Sequence, residues 1–264
     1  MKLTTFIRVA GLAISMAGLA FADNVVLYDV AANKTSASGL NTIYFGLGGG
    51  PNSGLLVGQN ISITTANQIS PGLVLKNCIG CTLNFTSGAV SSYSPGTPGP
   101  FGGLPNQSWA FSSGGAASIT GGVDLNENGI LDAGDIAAGS NLLSGYFLNS
   151  PTVTSNPNSD LRVAAGLILN SQNTQLNQYF FGKPIAGPVW TGSLTLLFNP
   201  NGRPKPPGGT PALPTFISQT IISGSLVNSS PVPEPGSVLL FSSVTGFLGL
   251  GLMLRRRRAN QTNS

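Results

Sequence analysis

Four of the seven acids between residues 23 and 230 fall within twelve residues: Asp124-Leu125-Asn126-Glu127-Asn128-Gly129-Ile130-Leu131-Asp132-Ala133-Gly134-Asp135. The types and the spacing suit a hard cation. Asp124, Asn126 and Asn128 offer side-chain oxygens at alternate positions. Gly129 permits the sharp turn, the carbonyl of Ile130 adds another oxygen, and Asp132 acts directly or through water. Asp135 closes the set. The expected ion is calcium. The competing reading is a polar Asp/Asn/Gly turn, in which four like charges would repel and no cation would offset them.

The other reactive pair is Cys78-Ile79-Gly80-Cys81. Two cysteines cannot close a zinc site, and Thr82 in place of His excludes covalent haem attachment. Thioredoxin-type exchange would need a βαβ context that the flanking residues do not supply. A disulfide is expected, provided the chain is exported. The chain has no histidine at all, which removes Ser-His-Asp and Cys-His nucleophile systems and His-ligated metals. There is no G-x-S-x-G and no phosphate loop. A glycosidase needs two facing carboxylates, and outside the acidic loop only Asp23, Asp29 and Asp160 are on offer. Trp109 and Trp190 could stack on sugars or pack in a core. The expectation is a non-enzyme with no catalytic residues.

The elements that must position these residues read as strands. Only 8% of the 264 residues are charged, and Gly (36) and Pro (19) punctuate short runs of Val, Ile, Leu, Thr and Phe. Expected strands are 24–30, 42–47, 55–65, 73–76, 82–86, 108–112, 117–120, 142–148, 161–169, 189–198 and 216–227. Ile61-Ser62-Ile63-Thr64 and Ser193-Leu194-Thr195-Leu196 alternate as half-buried strands do. Proline-rich 91–105 and 199–214 read as loops. The expected fold is all-β, an antiparallel β-sandwich, jelly-roll-like, over residues 23–230. Between those limits six basic side chains face seven acids, a net charge of −1. No basic stripe exists to neutralise phosphates, so a nucleic-acid partner is excluded.

Both ends carry addresses. Residues 1–22 hold Lys2 and Arg8, then an apolar run from Val9 to Ala20, then Ala20-Phe21-Ala22. This is a signal peptide with cleavage by signal peptidase expected before Asp23. At the other end Pro233-Glu234-Pro235 precedes an apolar stretch from Ser237 to Leu254, followed at once by Arg255, Arg256, Arg257 and Arg258. Eighteen residues rise about 27 Å as a helix, enough for a transmembrane helix over 237–254. The arginines would hold the C-terminus in the cytoplasm.

Residues 231–264 resemble the PEP-CTERM sorting tag of exported Gram-negative proteins. The resemblance implies processing by an exosortase, an inner-membrane intermediate, and release to the cell surface or extracellular matrix. The alternative for that tail is a permanent single-span anchor. The acidic loop resembles a single dockerin- or EF-hand-type calcium loop, with Asp135 in place of the usual Glu. One such loop, not two, means that cohesin binding does not carry over. The functional expectation is therefore a non-catalytic cell-surface or matrix protein associated with biofilm or exopolysaccharide. The alternative is a calcium-dependent carbohydrate-binding sandwich, and an extracellular hydrolase ranks last.

Overall fold

The computed structural model describes residues 24–32, 42–46, 54–70, 72–96, 107–155, 160–184, 190–200 and 216–230. Ala20, Ala22 and Asp23 at the expected signal cleavage, Pro233-Glu234-Pro235 and Arg255 to Arg258 lie outside the described residues.

Twelve strands run in chain order: β1 (Asn24–Val30), β2 (Thr42–Phe45), β3 (Leu55–Ser70), β4 (Asn77–Ser94), β5 (Ser108–Phe111), β6 (Gly114–Asp124), β7 (Ile136–Phe147), β8 (Thr152–Ser155), β9 (Leu161–Gln172), β10 (Trp190–Asn199), β11 (Phe216–Ser218) and β12 (Thr220–Ser230). A single short helix, α1 (Thr174–Phe181), falls between β9 and β10 among the described residues. Its start is set by Asn173, whose Oδ1 accepts from the amides of Gln175 and Leu176. Its end is set by Gly182 in the left-handed conformation (φ 67°).

Every strand pairing is antiparallel, so the all-β expectation stands, and the arrangement is consistent with a sandwich. The expected transmembrane helix is corrected. No helix among the described residues is long and apolar enough to cross a membrane. Residues 237–254 lie outside the described set, and α1 has eight residues.

The pairings also close on themselves. The order β3-β1-β12-β10-β9-β7-β6-β4 returns from β4 to β3, giving an eight-strand circuit with no free edge. β2 and β11 extend it beside β3, while β5 and β8 bridge β4 and β9. β3 and β4 can serve several neighbours because they are long, 16 and 18 residues, and bulged at Gly58/Ile61 and Ile79/Thr82. Gly58 is required at its bulge: a Cβ there would lie 2.2 Å from the Phe85 ring.

Alternation supplies the core. Along β10, Leu194, Leu196 and Phe198 are buried while Ser193 is exposed, and one continuous cluster runs from β1 to β12. The two ends of the circuit differ in chemistry. At one end Phe45, Trp109, Phe111, Phe198 and Phe216 interlock, with Phe45–Phe111 and Trp109–Phe216 edge-to-face at 5.2 and 5.4 Å. Registers Asn24↔Ser230, Val25↔Ser70, Asn77↔Asp124 and Val123↔Ile136 gather different parts at the other end. These are the β3–β4 connection, the acidic loop and the first and last described residues of the domain.

Candidate functional site

The acidic loop leaves β6 at Asp124 and rejoins the sheet at Ile136. It closes on itself through its own side chains. Asp124 is wholly buried; its Oδ1 accepts from the amides of Glu127 (2.7 Å) and Asn128 (3.3 Å), and its Oδ2 from that of Gly129 (2.7 Å). Asn126 Oδ1 accepts from the Asn128 amide and Asn128 Oδ1 from the Ile130 amide, both at 3.0 Å. Such turns suit Asn because a short amide side chain reaches its own backbone two residues on. Gly129 (φ 86°) and Gly134 (φ 108°) take left-handed positions, and Glu127 does so at φ 63°.

Asp135 is buried and ties the loop's two limbs together. Its Oδ1 accepts from the Leu125 amide at 2.8 Å and its Oδ2 from the Asp132 amide at 3.0 Å. The Asp132 amide bond, with help from those of Leu125 and Asn126, holds its carboxyl below the usual carboxylate range despite burial. Asp132 is the one site carboxylate that faces amide side chains, receiving Nδ2 of Asn126 (2.9 Å) and of Asn128 (2.7 Å). The fold therefore brings the expected ligands Asp124, Asn126, Asn128, Asp132 and Asp135 into one loop. It does not bring their oxygens to one point. Among the described residues no three His, Cys, Asp or Glu side chains converge as a metal-holding group. For a cation to enter, the two asparagine amides must turn their oxygens toward Asp132. The exposed side chain of Ile130 points to solvent, which leaves its carbonyl as the expected contribution.

Three residues outside the twelve fix the loop in place, and the sequence reading missed all three. Lys76, only 7% exposed, donates from Nζ to the Leu125 carbonyl at 2.7 Å and to Glu127 Oε1 at 2.6 Å. Its ammonium also sits 5.2 Å from the centroid of the Tyr179 ring. Burial alone would pull this lysine's pKa down. The contacts with Glu127 and Tyr179 outweigh it, and the pKa ends above the ordinary lysine value. From α1, Tyr179 Oη donates to the same Leu125 carbonyl and Gln175 Nε2 to the Asp135 carbonyl. The available signal was Lys76 itself, a basic residue next to a strand-like apolar run.

Cys78 and Cys81 form the expected disulfide on β4, at the bulge where Gly80 takes φ 64°. Beside it lies an open groove lined by Ser62, Thr64, Thr65 and Asn77, which holds hydroxyls and an amide but no charge and no ring. Trp109 and Trp190 are both fully buried, so core packing is their role. Asp29 accepts from Thr65 and Asn67, while Asp160 accepts from Asn199. β12 and β10 stand between the strand of Asp29 and the strand that follows Asp160, so the two acids do not face each other as a general acid and base would.

A second polar assembly lies inside the circuit. Asn170 Nδ2 donates to Asn228 Oδ1 at 2.7 Å, and Asn228 Nδ2 donates to Gln172 Oε1 at 2.9 Å. The bridge from β9 to β12 passes over Gly192 of β10, where a Cβ would lie 3.2 Å from Asn228 Oδ1 and 3.5 Å from Asn170 Nδ2. Asn170 Oδ1, Gln172 Nε2 and the indole Nε1 of Trp190, which stands opposite Asn170, are buried without a hydrogen-bond partner in the protein. The chain matches no family model, no curated protein and no solved structure.

Proposed function

We propose that this chain is an exported, non-catalytic protein of the cell surface or extracellular matrix, sorted by its PEP-CTERM-like C-terminal segment, whose β domain serves as a structural and binding body. The observation that carries the reading is how the domain uses its acids. Asp124 and Asp135 cap backbone amides, Glu127 pairs with Lys76, and Asp29 and Asp160 have separate partners. A hydrolase leaves an opposed pair free for substrate. The Cys78–Cys81 bond agrees with export into an oxidising compartment. The test is recovery of the protein from its native host with thiol-alkylating reagent present at lysis. The expected form starts at Asp23, sits in the surface or matrix fraction and carries no alkylated cysteine. A cytosolic form starting at Met1 with two alkylated cysteines would sink the proposal.

Calcium is part of the same proposal. The loop is already closed by protein donors, so calcium adds stability rather than creating the turn. Extracellular sites commonly have Kd of about 10⁻⁴ to 10⁻³ M, so millimolar calcium should add roughly 1 kcal/mol. The rise in Tm should vanish in Asp124→Ala and persist in Asp160→Ala. Equal melting of the wild type in several millimolar calcium and in excess chelator would leave the loop a polar turn.

A further inference from the structure

The end of the circuit that holds the acidic loop also holds an exposed apolar hairpin. Between β3 and β4 the chain turns back through one bridge, Gln68↔Val74, with paired amide–carbonyl bonds at 2.8 and 2.9 Å. On this hairpin Ile69, Leu73 and Leu75 are 43%, 70% and 56% exposed. Three large apolar side chains within seven residues are costly to leave in water, at about 25 cal/mol for each Å². Alternation puts Leu73 and Leu75 on the face opposite Val74 and Lys76. Val74 packs inward against the core, and Lys76 is pulled in to the Leu125 carbonyl, so the hairpin is held with its leucines outward. The neighbouring loop that Lys76 grips adds Ile130, 62% exposed.

What covers this hairpin is indicated by where the described chain stops. Ser230 ends β12 opposite Asn24, and Val25 stands opposite Ser70, beside the hairpin. Beyond Ser230 the sequence runs through Pro231 to Gly236 into the apolar stretch Ser237 to Leu254 and then four consecutive arginines. An apolar run joined to a basic cluster prefers a bilayer carrying anionic lipid to water. The chain thus leaves the domain toward a lipid-seeking segment from the end that exposes Ile69, Leu73 and Leu75. Among the described residues the aromatic end buries Phe45, Phe111, Phe198 and Trp109, and its exposed apolar side chains, Ile217 and Leu148, lie on separate segments.

The geometry points to a lipid-facing surface: the hairpin bearing Ile69, Leu73 and Leu75 rests in the interfacial layer of the bilayer at which the protein is exported. This inference builds on the proposed export and adds to it a surface and a partner, the lipid itself. The test uses the full chain. Its two cysteines are bonded to each other, so Leu73→Cys introduces one labelling site for an environment-sensitive fluorophore. Ser113→Cys, exposed at the opposite end of the circuit, is the control. The labelled chains are mixed with vesicles of phosphatidylethanolamine and phosphatidylglycerol and recovered by flotation. The expected result is a blue shift and a rise in emission at position 73, quenched by lipid-borne bromine, with no change at position 113. A solvent-like spectrum at position 73 on floated chains overturns the inference, as does failure to float. A blue shift at 73 that appears without vesicles and grows with protein concentration also overturns it, because a second copy would then be the cover. None of these outcomes alters the cysteine and N-terminus test of export.

Discussion

The acidic loop and the interior amide cluster place polar groups under opposite conditions. The loop carries four formal negative charges, two on the exposed Glu127 and Asp132 and two on the buried Asp124 and Asp135, yet Asp124, Asp132 and Asp135 accept protein N–H groups at both oxygens and Glu127 meets an ammonium. The cluster of Asn170, Gln172 and Asn228 carries no charge, lies within the core and leaves two of its own atoms and the Trp190 indole without a protein partner. A surface group that loses a donor can turn to water. A buried one cannot, and it bears the whole desolvation cost. Charge density in the sequence therefore does not mark where the fold is most sensitive; burial and connectivity do.

That contrast can be broken most directly at Asn228. Asn228→Ala removes the middle of the ladder, strands Gln172 Oε1 and leaves Asn170 Nδ2 with only the Ile168 carbonyl. It should cost about 2–4 kcal/mol in a denaturant titration. A loss below about 1 kcal/mol, the scale of a surface substitution, would show that the cluster rearranges freely. Gly192→Ala tests the same bridge through the space that it needs. The new methyl group meets the Val227 carbonyl at 3.0 Å and Asn228 Oδ1 at 3.2 Å, for an expected loss of about 1–3 kcal/mol.

At the loop the expected effects are smaller. Lys76→Met should cost about 1–2 kcal/mol. The figure is less than that for a fully buried pair because Glu127, 59% exposed, regains water. Hydrogen exchange should accelerate at the amides of Glu127 to Gly129 and stay unchanged at those of β9. The smallest effect is the acid response. Asp135 has its pKa lowered by folding, so its stabilisation is complete above the ordinary carboxylate value near 4. It is lost as pH falls through the lowered value. Asp135→Asn should flatten the stability curve in that acid window only. An unchanged slope would place the acid sensitivity elsewhere.

Strands were legible where side chains alternate. Asn24 to Val30 matches the expected limits, and the inward Leu194, Leu196 and Phe198 follow from sequence period alone. Length was not legible in β3 and β4, because bulges break the alternation and polar residues such as Asn77, Ser91 and Ser92 continue the ladders. The expected strand Leu73 to Lys76 is instead the hairpin, held by the Gln68↔Val74 bridge and by the bond from the Ala66 amide to the Lys76 carbonyl. α1 was missed since eight residues give only two turns of period. β8 was missed because Thr152 to Ser155 looks like loop polarity until β5 and β9 flank it. The acidic loop was legible residue by residue, since turn chemistry is local. Lys76 and Tyr179, 49 and 54 residues from the carbonyl they share, were not. The amide ladder joins residues 56 and 58 apart, and only the closed circuit brings them together.

The position of β12 has a mechanical consequence. This last strand lies between β1 and β10, paired with β10 from Thr220 to Ser229 and with β1 from Ser225 to Ser230. Tension applied between Ser230 and the aromatic end would run along the axis of β12. It would load both ladders in shear together, rather than opening one pair at a time as peeling an edge strand would. Resistance to such pulling is set by the unfolding rate, not by equilibrium stability. The strand nearest the tail is therefore placed to make this domain slow to come apart under load.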